Sequence, residues 1–495
     1  MERIVNMDMV MTMERSPKKY KHLLCSLSLI TTGSFAADVT FSPVVGGGLT
    51  FTDNVDLVES GSGSSLISSI DVGVAASVIG NDGQLNLAYT MSQLFYSHDS
   101  SENAAYQQLN FLTRKGLYNT GFSVDVSASI ENIAEAIDEN ASVDVFTGNT
   151  IESKNAQVGV SYHSNPLSKV DLRARTYAQI TNNEDDIGNY DGYGAEITYA
   201  NGRSVKDFFW LIEASYDYKN GKNGDEDTSF TLLREEFGLQ TIHGWSPLIR
   251  LNYENYEGRA KSDSADSFSW GPGLRYYWTK QSYIEVSYNF SDDDNNSDFW
   301  AGAINVEPNT RTKLFFSYDK RFFGDAYQFE LSHRSRKLTN SISYFEEAVS
   351  FDRDFFTSGS NISEVSLSRR LEWSSVVKAR RTSYELSIFH DEQQVLNANA
   401  DVQDEEGNGI GLDISHRLSR RLSMRLGAEY KYYDFERLSE ADQRDHYQDY
   451  SLGASYQLND DISTSFNLSH MNKSSSKLNE SYDENRVFIN VRMQL

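Results

Sequence analysis

Apolar and polar residues alternate with a period of two along most of the chain. In residues 122–130, serines and Asp125 alternate with an apolar face made of Phe122, Val124, Val126, Ala128 and Ile130. The same pattern recurs in 169–180 and 421–432. Because successive side chains of a β-strand point to opposite faces, this pattern predicts strands with one apolar face. The other face carries full charges, which a wet interior can hold but a packed soluble core cannot bury without partners.

The connections between the predicted strands alternate between short and long. Short ones are 164–167, 279–281, 417–420 and 459–460, and long, acidic ones are 181–189, 219–228, 256–266, 291–297, 391–407, 435–447 and 471–483. Short turns on one side and long loops on the other are typical of outer-membrane barrels. The pattern predicts an all-β protein, a single large antiparallel transmembrane β-barrel of about 24 strands (range about 18–26). An even strand number would return both ends to the periplasmic side.

Three stretches qualify the strand pattern. Gly271-Pro272-Gly273 interrupts a strand and predicts a bulge, because proline cannot donate to the ladder. A second bulge or a register change is predicted in 365–384, where alternation is lost around Val376-Val377. The last nine residues, 487–495, alternate up to the final Leu495 and predict a strand that closes the barrel. This ending resembles the C-terminal signature read by the barrel-assembly machinery, although that signature usually ends in Phe.

The N-terminus has the pattern of a secretion signal. Lys18, Lys19 and Lys21 precede a short apolar core, and Ala36 ends a small-residue cleavage site. Residues 1–36 are therefore predicted to be a signal peptide, with 1–12 upstream of an alternative start at Met13, and 37–495 the barrel. The single cysteine, Cys25, lies inside this signal, so the mature chain would hold no disulfide, thiolate nucleophile or cysteine metal site.

Composition agrees with strands that are apolar on one face only. Aromatic residues make up 13% of the chain, yet the hydrophobic fraction is 39% and the mean hydropathy is -0.53. The net charge is -26, and removal of the predicted signal leaves about -28. Such acidity excludes nucleic acid as an expected partner, because nucleic-acid binding depends on neutralising phosphates with Lys and Arg.

The sequence contains no motif that points to catalysis. Nine histidines are scattered without a metal-ligand spacing, and no nucleophile elbow or phosphate loop occurs. No catalytic residue, cofactor or metal ligand is therefore predicted, and the protein is expected not to be an enzyme.

The polar faces of the predicted strands carry the one chemical pattern of interest. Strand parity points a set of arginines toward the lumen: Arg173, Arg175, Arg250, Arg334, Arg417, Arg425 and Arg492. Acids predicted on the same face are Asp125, Asp171, Glu330, Asp413 and Glu429. The arginines form either a cation-lined path for an anionic solute or polysaccharide, or ion pairs that stiffen the wall. The second interpretation is slightly favoured.

Several short motifs resemble one family of outer-membrane proteins. They are Pro43 with Phe51-Thr52-Asp53-Asn54, Thr147-Gly148-Asn149-Thr150, Trp300 with Pro308 to Tyr318, Phe322-Phe323-Gly324, Ser332-His333-Arg334 and Glu484-Asn485-Arg486. Together they are similar to the PEP-CTERM-system-associated outer-membrane β-barrel proteins across nearly all of the mature chain. The resemblance implies a cell outer-membrane barrel found with exosortase sorting and exopolysaccharide gene clusters. It implies no catalytic residues.

Three functions follow as hypotheses. The first is a non-enzymatic barrel, embedded in outer-membrane lipid, that serves exopolysaccharide or surface-protein export together with other export components. The second is a general diffusion porin for small solutes, and the third is a surface scaffold or adhesin with acidic loops. Conductance in planar bilayers separates the first two from the third. Loss of secreted polysaccharide on gene deletion separates the first from the second.

Overall fold

The computed structural model describes residues 38–495 apart from 62, 118–119, 137–138, 141–144, 149, 166, 224–226, 241–242, 259–265, 293–296, 351–364, 397–401 and 438–440. The predicted signal peptide and Cys25 lie outside the described residues.

The described chain is built from antiparallel strands. They are β1 (Asp38–Thr52), β2 (Ser65–Gly80), β3 (Gly83–Tyr96), β4 (Ala105–Gly116), β5 (Phe122–Ala134), β6 (Thr150–His163), β7 (Val170–Asn183), β8 (Tyr190–Asn201), β9 (Phe208–Gly221), β10 (Thr228–Leu239), β11 (Trp245–Glu257), β12 (Asp266–Tyr277), β13 (Tyr283–Ser291), β14 (Phe299–Asn309), β15 (Thr312–Arg321), β16 (Gly324–Arg334), β17 (Leu338–Ser350), β18 (Val365–Lys378), β19 (Thr382–Val395), β20 (Val402–Arg417), β21 (Leu422–Arg437), β22 (Gln443–Gln457), β23 (Ile462–Ser475) and β24 (Tyr482–Gln494). A single 3₁₀ turn, Ser100–Glu102, follows β3. No helix in the described part of the chain is long and apolar enough to cross a membrane.

Each strand pairs with its sequence neighbour, and β1 pairs with β24 to close the sheet. The closing ladder runs from Val44 opposite Gln494 to Thr52 opposite Arg486. Closure leaves no free sheet edge, which is the condition for a sheet to stand in lipid. The predicted fold, the strand number of 24 and the closing role of the last strand are confirmed.

The connections form two rims. The short-turn rim has connections of two to six residues and also holds the start of β1 and the end of β24. The long-loop rim has connections of two to 15 residues, the longest being 135–149 between β5 and β6. All the connections predicted as short lie at the first rim, and all those predicted as long lie at the second.

The acidic stretch 404–409 differs from its prediction. The sequence pattern predicts a loop over 391–407, but β19 continues to Val395 and β20 begins at Val402. Glu405 lies within β20 and is buried on the inner wall. The Phe389 ring lies over Gly409, where any Cβ would collide with it, and this aromatic cover compensates for a glycine within a strand. The adjacent long loops, 435–447 and 471–483, are likewise shortened by extended strands.

The bulges expected from sequence are absent from the described ladders. Gly271 and Pro272 have no partners in β13, yet Trp270 opposite Phe290 and Gly273 opposite Ser287 keep one register. Proline therefore interrupts the hydrogen bonds without inserting a residue. The ladders of β18 are regular on both sides, and 379–381 is a turn, which explains the lost alternation near Val377. Register does shift between Val306 and Asn309.

Candidate functional site

The two faces of the wall differ in chemistry. Large apolar side chains stand exposed on the outer face, as at Leu426 and Ile489. On the alternate positions, polar and charged side chains contact one another across the strands. Some of these contacts join residues several strands apart, which only the concave side of a closed sheet allows. That side is the inner wall, and it is the candidate functional surface.

Arg175 lies in an ion pair that crosses a strand. Its Nη2 is 2.9 Å from an oxygen of Asp125, and it also donates to Gln157 at 2.8 Å. Asp125 is on β5 and Arg175 on β7, with Gly159 of β6 between them. A Cβ at Gly159 would lie 2.9 Å from the Asp125 carboxylate, so the missing side chain is what lets the pair meet.

Arg250 belongs to a sharply curved part of the wall, the β11–β17 lobe. Arg250 contacts Glu285 at 3.7 Å and Asp319, four strands away on β15, at 2.6 Å. Tyr256 of β11 donates to the Ala348 carbonyl of β17 at 2.6 Å. Strands lie about 4.8 Å apart, so these contacts require the wall to fold tightly around them.

A cavity of about 230 Å³ is lined by residues of this lobe and of the adjoining strands β9 and β10, and its charges are almost balanced. Its charged lining consists of Arg234, Arg250, Arg275 and Arg321 with Glu213, Glu236, Glu285, Asp319 and Glu346. Arg275 donates to Glu285 at 2.6 Å and to Glu236 at 2.7 Å. Arg321 lies 2.9 Å from Glu254. Arg250, Arg275 and Arg321 each contact at least one carboxylate, so this part of the wall has the character of structural ion pairing.

The remaining predicted arginines fall into two groups. Arg425 contacts Asp413 at 2.7 Å, and Arg173 is 3.4 Å from Asp171, both with largely exposed guanidinium groups. The second group lies near the short-turn rim, at Arg334, Arg417 and Arg492, and these three form no ion pair with the described residues. The structure therefore does not bring the seven arginines together at one place.

Two predicted acids have partners other than these arginines. Glu429 lies 2.9 Å from Lys431, and Glu330 accepts from Gln328 at 2.9 Å. Asp171 also lies 3.3 Å from His163. A role of any of these side chains in solute passage stays a prediction.

Two connections at the long-loop rim fold inward along the wall. The β1–β2 connection contributes Val55, which packs with Ile67 and Leu94 in a buried apolar cluster. The β5–β6 connection contributes Val145 and Phe146 to the same cluster. Phe146 also reaches the ring of Phe488 on β24, with centroids 5.8 Å apart. These inward-folded connections narrow the interior beside β1–β4 and β24, and periodicity alone gave no signal for them.

Buried polar contacts fasten the inward-folded connections. Lys473 on β23 is fully buried, lies 3.2 Å from Asp445 and donates to the Glu139 carbonyl at 3.1 Å. Arg486 of β24 donates to the Thr147 hydroxyl. Asn140 donates to the Leu57 carbonyl at 2.8 Å, which ties the two connections to each other. A buried cation that contacts both a carboxylate and a backbone carbonyl is costly to remove.

The two rims carry opposite charge. Eleven Lys or Arg residues and four Asp or Glu residues occupy the connections of the short-turn rim. The long-loop connections hold 27 Asp or Glu residues and five Lys or Arg residues. Among the exposed basic side chains of the short-turn rim are three adjacent pairs, Arg336-Lys337, Arg380-Arg381 and Arg420-Arg421. Sequence reasoning identified the acidic loops but missed the basic turns, which these adjacent pairs could have revealed.

One group of side chains at the long-loop rim could hold a metal ion. Asp56, His98 and Glu102 place one ligand atom each within 4.8 Å of the others. Asp99, beside them, accepts from the Ser101 hydroxyl and N–H, and these hydrogen bonds hold the pKa of its carboxyl below its usual value. The three ligands come from two different connections, so no sequence spacing predicts the group.

Comparison with known proteins supports this architecture. The family described as "Putative beta-barrel porin 2" matches residues 362–495, which include the last seven strands. The chain is a closed β-barrel that is similar to this porin family over these residues. No curated protein matches it.

Solved structures resemble the chain in fold. The FrpB iron transporter from Neisseria meningitidis has a TM-score of 0.50 at 9% identity, covering 92% of this chain and 81% of that one. The siderophore receptor PirA from Pseudomonas aeruginosa scores 0.43 at 10% identity, with 92% and 80% covered. The ferric-catecholate import receptor Fiu from E. coli K12 scores 0.45 at 10% identity, with 92% and 81% covered. At these identities the likeness to FrpB shows the barrel fold alone.

Proposed function

We propose that the chain forms a water-filled conduit across the outer membrane for anionic hydrophilic solutes, which enter from the short-turn rim. A closed barrel with an apolar outer wall and a charged inner wall suits passage of hydrated solutes. The observation that carries the proposal is the opposite charge of the two rims. The first strand begins and the last strand ends at the short-turn rim. Short turns lie on the periplasmic side in outer-membrane barrels.

The basic rim acts on anions before they enter. A mouth lined by one sign of charge raises the local concentration of counter-ions and increases association rates by about 10–10³-fold. Screening limits this field to about 10 Å at 0.1 M salt, so it acts at the mouth rather than along the whole lumen. The acidic long-loop rim repels anions that approach from outside. Entry from the periplasm is therefore faster than entry from outside, although the field sets no direction for net flux.

Exopolysaccharide is the substrate class we favour. An acidic polymer is multivalent, so each repeat unit that reaches the basic rim adds to its attraction. The family resemblance of the sequence motifs points to the same class of substrate. In this proposal the export components that deliver the polymer approach the short-turn rim, and the barrel-assembly machinery inserts the chain through β24.

A general diffusion porin is the second candidate, and the porin-family match at residues 362–495 favours it. The inward-folded connections narrow the interior at the long-loop rim, so in both candidates they would limit the size of solute that can pass. A scaffold or adhesin, the third hypothesis, needs no conducting path.

The deciding experiment measures conductance of the purified barrel in planar bilayers with an acidic oligosaccharide added to one side. Stepwise channels that the oligosaccharide blocks support the proposal. Channels that pass small ions without oligosaccharide block favour the diffusion porin. Absence of channels contradicts both and leaves the scaffold. In cells, gene deletion should reduce secreted polysaccharide but leave uptake of small solutes unchanged.

A further inference from the structure

Two connections at the long-loop rim place three metal-ligand side chains together. Asp56 comes from the β1–β2 connection, and His98 and Glu102 come from the β3–β4 connection. The His98 Nε2 and Glu102 Oε2 atoms are 3.3 Å apart. Two ligands at bond lengths near 2.0–2.2 Å on a tetrahedral zinc ion lie about 3.3 Å apart, so this separation suits a shared ion.

The histidine ring is fixed by partners outside the group. Its Nδ1 is 2.9 Å from the hydroxyl of Ser65, a buried residue at the start of β2. The Tyr96 ring packs edge-on against it, with centroids 5.8 Å apart. The hydrogen bond to Ser65 occupies Nδ1 and leaves Nε2 directed at Glu102. Metal-ligating histidines are oriented in the same way, by a hydrogen bond to the second ring nitrogen.

The backbone at the other two ligand residues, Asp56 and Glu102, is also held by neighbouring contacts. Asp56 lies between Val55 and Leu57, which are 4% and 0% exposed, so its neighbours anchor the turn while its carboxylate stays outside. Asp99 caps the 3₁₀ turn that carries Glu102 by accepting from the Ser101 N–H at 2.8 Å. The backbone that carries Asp56 and Glu102 is therefore held in place, as the His98 ring is.

We propose that Asp56, His98 and Glu102 form a binding site for a divalent transition-metal ion of the Zn²⁺ class at the long-loop rim. One imidazole nitrogen and two carboxylate oxygens suit such an ion, whereas Ca²⁺ and Mg²⁺ take oxygen ligands. Three protein ligands leave at least one coordination position for water or an external group. Since the ligands come from two connections, the ion also links the inward-folded β1–β2 connection to the β3–β4 connection.

The test titrates Zn²⁺ into the full-length barrel in detergent by isothermal calorimetry, with correct folding of every variant checked by heat-modifiable gel migration. We expect His98→Ala and Asp56→Asn each to weaken binding of one Zn²⁺ per chain at least tenfold. Ser65→Ala, which removes only the partner of Nδ1, should weaken it about 10–100-fold. The matched control is His163→Ala, because His163 also lies 3.3 Å from a carboxylate, that of Asp171, but belongs to no three-ligand group among the described residues.

Two results would overturn the site. One is Zn²⁺ binding by His98→Ala that equals the parent protein, or no binding by the parent. The other is displacement of Zn²⁺ by equimolar Ca²⁺, which would mean that the carboxylates bind cations without the imidazole. Unchanged binding by His163→Ala together with loss in His98→Ala establishes the assignment.

Discussion

The short-turn rim and the long-loop rim use charge in different ways. At the short-turn rim, the basic side chains of Arg336-Lys337, Arg380-Arg381 and Arg420-Arg421 are exposed. At the long-loop rim, part of the charge is buried and structural, as in the contact of Lys473 with Asp445. Exposed charge projects a field toward approaching solutes, whereas a buried pair is neutralised by its partner. The first rim is therefore suited to recruitment and the second to holding inward-folded chain.

The largest expected effect is the loss of folding free energy when a buried lysine is removed, compared with removal of an exposed lysine. Lys473→Ala should cost about 3–5 kcal/mol of folding free energy, because it leaves the buried Asp445 carboxylate without its cation. Lys337→Ala, the matched change at the short-turn rim, should leave stability unchanged. Urea titrations of refolding into lipid vesicles measure both. Equal stability of the two variants would show that the packing of the two rims does not differ.

The wall between the rims supplies the next contrast. Leu426 is 46% exposed on the outer face, and Leu426→Arg should cost roughly 2–4 kcal/mol near the bilayer midplane. Its neighbour Arg425 forms an exposed pair with Asp413, so Arg425→Ala should cost about 0–1 kcal/mol. Folding yields in vesicles test this, and a larger loss for Arg425→Ala would reverse the assigned faces.

Sequence periodicity predicts the wall well because each strand must alternate to meet lipid on one side and water on the other. The same rule identifies 487–495 as the closing strand and places Leu426 outward. It fails at Asp404 to Gly409, where acidic and glycine residues resemble a loop but lie in β20. In β20 the Glu405 side chain lies on the inner wall, and the ring of Phe389 covers Gly409.

Contacts across strands are harder to predict. The meeting of Arg250 with Asp319 depends on how sharply the β11–β17 lobe curves, which no local pattern encodes. The grouping of Asp56 with His98 likewise depends on where two connections fold. The basic turns, by contrast, were readable from the sequence, since their Arg and Lys pairs recur at successive short connections.

Removing the charge of the short-turn rim tests the recruitment proposal. We expect replacement of Arg336, Lys337, Arg380, Arg381, Arg420 and Arg421 by Ser to lower the entry rate of an acidic oligosaccharide about tenfold at low salt. The effect should shrink at 1 M salt, where screening shortens the field to about 3 Å. Blockade frequency in bilayers measures the rate. As a control, replacement of Glu184, Asp185 and Asp186 by Ser alters the opposite rim. It should not slow entry of the oligosaccharide from the short-turn side.

The smallest expected effect concerns the paired arginines of the inner wall. Replacing Arg173, Arg175 and Arg425 together by Ser leaves Asp171, Asp125 and Asp413 without these partners, so the reversal potential should shift toward cations. The parent barrel should be weakly anion-selective, because most acidic charge lies in the loops and is screened within about 10 Å at 0.1 M salt. Strong cation selectivity of the parent, unchanged in the triple variant, would mean that the arginines only stiffen the wall.

Blockade of a single oriented barrel by an acidic oligosaccharide tests the account most directly. The orientation in the bilayer is fixed by a label on Leu478, which is 82% exposed in a long-loop connection. The oligosaccharide is then added to one side at a time. The account predicts more frequent blockades from the short-turn side, with a difference that fades as salt rises. Equal frequencies from both sides, or more frequent blockades from the long-loop side, would contradict it.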